Sequence, residues 1–128
     1  MELKDFYDRV GGNYDEVLSR LMTDKRIYKY LGMFESSDNY PILKSALSDM
    51  DCRQIFNESH TMKGMCANLG LKSLENASSD ICELFRPCRN SDCDISLFKE
   101  GIGDITPLVN ALDCAHEITV SSIKELLM

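Results

Sequence analysis

Helical spacing runs through most of this chain, and it is sharpest between Cys52 and Leu69. An α-helix turns about 100° per residue. With Met62 at the centre of one face, Ile55, Cys66 and Leu69 fall within about 40° of it, and Ser59 and Met65 within about 60°. That is an apolar stripe made to face a core. Arg53, Phe56, His60, Lys63, Gly64 and Ala67 fall on the other side. Asp51 is placed to cap the start of this helix, and Gly70 to end it as a C′ glycine. The next helical pattern begins almost at once, with Leu74, Ala77, Ile81, Leu84 and Phe85 on one side. A link this short forces two antiparallel neighbours. A chain with such a hairpin at its centre has to complete a helical bundle around it.

The flanking segments agree. The sequence holds only three prolines, and β-branched alternation is scarce. Leu3 to Val10 reads as a short helix ended by Gly11-Gly12. Asn13 caps a helix through about Leu21 or Met22, and Thr23 or Asp24 caps another running to about Phe34, with Ile27, Tyr30, Leu31 and Phe34 on its buried side. After the loop Ser36–Asn39, Pro41 stands early in a helix whose apolar side is Ile42, Leu43, Ala46, Leu47 and Met50. Pro87 stops the helix after the hairpin, and residues 88 to 94 read as a polar loop. Ile95 to Lys99 reads as a short helical turn. Thr106-Pro107 reads as a cap followed by Pro at the first helical position of a last helix, with Leu108, Leu112, Ala115, Ile118 and Ile123 inward. The expected fold is all-α: one domain of 128 residues, an antiparallel four-helix bundle over about 40–128 with short helices from 1–39 packed on one end.

The wet face of the central helix carries the chemistry. Lys63 lies one turn on from His60, with Gly64 beside it. Mid-helix Gly is about 1 kcal/mol worse than Ala, so its presence suggests that something large approaches the backbone there. A lysine ammonium is a mobile point charge suited to a phosphate oxygen. Small Ala67 extends the clear surface by a turn, and Phe56, one turn before His60, is a candidate docking side chain or a flank of the core.

His60-Thr61-Met62-Lys63-Gly64, followed by Leu69-Gly70 and Leu74, resembles the motif of the histidine-containing phosphotransfer (HPt) domains of two-component phosphorelays. Met62, Met65 and Ser59 depart from the residues expected at their positions, at the level of packing. The resemblance implies that His60 accepts a phosphoryl group at Nε2, that Lys63 steadies its oxygens, and that Gly64 leaves room for the incoming partner. It implies response-regulator receiver domains and a hybrid sensor histidine kinase as partners. It also implies that the magnesium needed belongs to the receiver, with no cofactor on this chain. The sequence has no nucleotide loop or Gly-rich kinase signature, so no ATP-dependent kinase activity of its own is expected. A sensor-kinase fragment is disfavoured, because no acidic residue and Pro follow the His. A helical module that binds receivers without transfer remains the alternative.

A net charge of −7 argues against nucleic acid and anionic membrane surfaces as partners. No apolar run reaches membrane-spanning length and the N-terminus shows no signal segment, so a cytoplasmic protein is expected. A monomer is expected because the face around His60 must stay free. The six cysteines form no Cys-x-x-Cys pair, which speaks against zinc, and no metal site is expected. Cys66 falls on the core stripe, and Cys88 and Cys93 fall in the loop. His116 lacks a Lys-Gly companion and reads as structural. Met22, Met33, Met50, Met62 and Met65 read as core filler.

Overall fold

The computed structural model describes residues 1–128 as eight α-helices and no strand. These are α1 (Leu3–Arg9), α2 (Tyr14–Leu21), α3 (Asp24–Glu35), α4 (Asn39–Asp49), α5 (Cys52–Leu69), α6 (Lys72–Leu84), α7 (Ile95–Gly101) and α8 (Thr106–Leu127), with a 3-10 turn at Arg86–Arg89. α5 packs on α4 and α6, and α6 packs on α8, which closes the expected four-helix bundle. No helix is long and apolar enough to cross a membrane.

The central hairpin follows its local signals. Asp51 Oδ1 accepts from the Gln54 N–H at 3.3 Å, satisfying one free donor of the first turn of α5. Gly70 ends the helix with φ 72°. A side chain there is excluded twice, by that left-handed backbone and because a Cβ would lie 2.3 Å from Val17 Cγ2.

The N-terminal helices do more than cover an end. The last carbonyls of any helix lack partners within it. Here Tyr7 Oη donates to Leu69 O at 2.8 Å, and Arg20 donates to Ala67 O and Asn68 O at 3.0–3.1 Å. Burial pushes the Tyr7 phenol well above its ordinary pKa, so it stays a donor. The Ser73 N–H, free at the start of α6, donates to Val10 O at 3.1 Å. Phe6, Tyr7, Val10, Val17, Ile27 and Leu31 belong to the same core cluster as Ile55, Met62, Leu74 and Leu112. One core therefore crosses residue 40, and the N-terminal helices fasten the far end of α5.

Several expectations are corrected. α8 begins one residue earlier than its Thr-Pro signal suggested: Ile105 is the cap residue, and Asp104 Oδ1 accepts from the Thr106 N–H at 2.9 Å. Ile118 is exposed, while Thr119 and Ser122 face the core. Thr119 can do so because its hydroxyl donates back to Ala115 O at 2.7 Å, which hides its polarity within the helix. Tyr30 sits at the edge of exposure. Met22 and Met33 are 70% and 57% exposed, so they are not core filler. Cys88 is fully buried, because the 3-10 turn folds back against α5. Its thiol is pushed up to about 12 by that burial and by its neighbours Cys52 and Cys93.

His116 plays the structural part expected of it. Its ring stacks on Tyr40, with centroids 3.5 Å apart. Tyr40 Oη donates to Asp113, and Lys44 Nζ lies 2.8 Å from Asp113 Oδ2. Together these side chains form a clasp between α4 and α8. Burial holds the His116 imidazole below its ordinary value, against the pull of Asp113.

Candidate functional site

α5 presents its wet face along the side of the bundle, and α6 runs antiparallel beside it. His60 is exposed near the middle of α5. Two contacts set its ring. Below it lies the ring of Phe56, one helical turn earlier, with centroids 5.7 Å apart and planes 20° from parallel. Beside it Cys82 of α6 places Sγ 3.9 Å from Nδ1. The thiol occupies the Nδ1 side, and no hydrogen bond engages Nε2.

Phe56 itself is buried, only 8% exposed, and belongs to the core cluster. It is therefore a floor under His60 rather than a side chain offered to a partner. It lies far enough round the helix from Met62 to escape the apolar stripe, but the 3-10 turn after α6 covers it. The Arg86 guanidinium sits over its ring, 5.7 Å from the centroid.

Gly64 and Ala67 are exposed, continuing the surface toward the end of α5. A Cβ built on Gly64 meets nothing within 4 Å. No internal contact therefore requires glycine there. Lys63 is half-buried and engaged: its Nζ lies 3.5 Å from Glu83 Oε1. Glu83 is held more closely by Arg86, whose Nε and Nη2 donate to Oε2 and Oε1 at 2.8 and 2.5 Å. The Arg86 hydrogen bonds, with help from Lys63, hold the Glu83 carboxyl down at about 2.

The structure thus brings His60, Lys63, Gly64 and Ala67 onto one surface and moves Phe56 beneath it. Sequence reading missed the α6 side: Cys82, Glu83 and Arg86. No group of three or more His, Cys, Asp or Glu side chains has the geometry to hold a metal ion. The arrangement offers an exposed imidazole on the side of a helix, with the Lys63 and Arg86 cations gathered on Glu83 beside it.

Comparison with known proteins bears on this geometry. No curated protein and no solved structure matches the chain. A family model described as the Hpt domain matches residues 32–116, a stretch that holds α4 to α7, the whole His60 surface and the first half of α8. By that match, over a helical bundle of the expected kind, the chain belongs to the Hpt domain family, the phosphotransfer modules of two-component phosphorelays.

Proposed function

We propose that this protein relays a phosphoryl group between aspartates of response-regulator receiver domains through phosphohistidine at His60. The observation that carries the reading is the presentation of His60: exposed on the wet face of α5, with Nδ1 against Cys82 and Nε2 engaged by no hydrogen bond. A nucleophile so placed enters a partner's pocket rather than closing one of its own. Neutral imidazole is a competent nucleophile near neutral pH.

In the transfer, the Nε2 lone pair attacks the phosphorus of a receiver's aspartyl phosphate. The P–N bond forms as the P–O bond breaks, and the aspartate leaves as a carboxylate. The ring's positive charge is relieved when the Nδ1 proton passes to water, which returns it on the way out. Transfer onward reverses these steps on a second receiver. Phosphoryl transfer depends mainly on in-line positioning and charge stabilisation. Lys63 supplies the charge, Phe56 and Cys82 hold the ring, and Gly64 and Ala67 give the receiver clearance. Magnesium comes with the receiver's acidic pocket. The natural donor is a receiver attached to a hybrid sensor histidine kinase.

The test is transfer from a receiver charged with a small phosphodonor, in magnesium, to the wild type and to His60→Gln. Acid-labile, alkali-stable label on the wild type alone supports the relay. Receiver binding with no label on the wild type overturns it in favour of a module that docks without transfer.

A further inference from the structure

The cation expected to meet the phosphoryl group already has a partner. Lys63 Nζ faces Glu83 at 3.5 Å, whereas Arg86 grips the same carboxylate at 2.5 and 2.8 Å. The two contacts differ in kind. Arg86 to Glu83 is a forked, two-point pair within one stretch of chain, i to i+3, of the geometry that makes such pairs strong. Lys63 to Glu83 is a single, longer contact between helices, with the lysine side chain 33% exposed and the carboxylate side chain 50%. If Lys63 leaves, Glu83 is still satisfied by Arg86. If Arg86 is removed, Lys63 becomes the carboxylate's sole cation.

We propose that Glu83 is a competitor for Lys63 that sets how firmly His60 holds a phosphoryl group, and that Arg86 moderates this competition by keeping Glu83 occupied. The proposal rests on the relay reading given above. In the unphosphorylated protein Lys63 leans on Glu83. When phosphorus becomes bonded to Nε2, a group of about two negative charges appears one turn away, and Lys63 changes partner. The carboxylate it leaves remains close by and repels the new anion. Both effects weaken retention and favour onward transfer. Glu83 is thus a determinant of the transfer equilibrium that acts through Lys63, a positioning role rather than a reacting one.

The experiment measures two quantities on the full chain with one charged receiver: the equilibrium ratio of phosphorylated protein to phosphorylated receiver, and the lifetime of the isolated phosphohistidine. Exposed ion pairs of this kind are worth enough to change an equilibrium about two- to five-fold. Glu83→Gln is expected to raise the ratio by that factor and to lengthen the lifetime. Arg86→Gln is expected to lower the ratio, because it frees Glu83 to compete harder. With Glu83→Gln already in place, Arg86→Gln should no longer lower it. A merely structural role would move both single variants in the same direction. Thermal unfolding of each variant identifies any that fails to fold, and Glu83→Asp, which keeps the charge, should then stay near wild type. Equal ratios for wild type and a folded Glu83→Gln would overturn the proposal while leaving the relay intact. Absence of label on the wild type would instead overturn the relay reading itself.

Discussion

Gly64→Ala should make this protein more stable and a poorer partner. Gly64 lies inside α5, thirteenth of its 18 residues, where glycine is worth about 1 kcal/mol less than alanine. Usually a clash or a left-handed backbone offsets that gain. Neither applies, since the added Cβ meets nothing within 4 Å and the backbone is helical. The full propensity gain of about 1 kcal/mol should therefore appear, as a rise in Tm of about 3–5 °C for a domain of this size. In urea the midpoint should rise with an unchanged slope, because no surface is newly exposed. The same methyl group stands one turn from His60, on the side from which the proposed relay brings in a receiver. Overpacking a fitted contact costs about 1–3 kcal/mol, so transfer from a charged receiver should fall roughly 5- to 150-fold. Phosphorylation by a small donor such as phosphoramidate should hardly change, because such a molecule does not cover Gly64. A lower Tm would refute the claim that Gly64 stands free on the helix. A higher Tm with undiminished receiver transfer would refute the claim that the receiver comes in over it.

Two further outcomes follow from the packing. Phe56→Ala removes a buried ring from the core and should cost about 3–5 kcal/mol in urea unfolding, while loosening the His60 imidazole above it. A loss below about 1 kcal/mol would place the ring outside the core. At Asp113 burial favours the neutral acid, but the hydrogen bonds from Lys44 and Tyr40 outweigh it, so the folded pKa lies below the ordinary 3.8. A depressed carboxylate contributes stability that is complete above its unfolded value and lost as pH falls through the folded one. Asp113→Asn should therefore be less stable than wild type at neutral pH, with the gap closing as pH falls below 3.8. Parallel acid-unfolding curves for the two proteins would contradict that assignment.

The sequence made the hairpin legible because its signals are local. Asp51 caps within one turn, Gly70 permits a left-handed backbone, and the stripe from Ile55 to Leu69 needs only the helical period. The outward position of His60 follows from the same wheel. Phe56 was ambiguous because its burial depends on a turn thirty residues away, which folds over α5 and brings Arg86 onto the ring. The burial of Cys88 was not legible for the same reason, since a polar-looking loop is buried by where the chain returns. The α6 side of the site is a different case, because it was readable by counting. Two antiparallel helices that advance equally per residue place residues equally distant from their joint abreast. Leu71 is the joint, and His60 and Cys82 stand eleven residues to either side of it. Glu83 follows Cys82 at once in α6, and Arg86 opens the 3-10 turn just beyond it, within reach of Lys63 and Phe56. A motif read along one helix yields His60, Lys63 and the Phe56 ring beneath, but the thiol beside His60 and the carboxylate paired with Lys63 come from the helix beside it. The tight Gly70-Leu71 link fixes which residues those are.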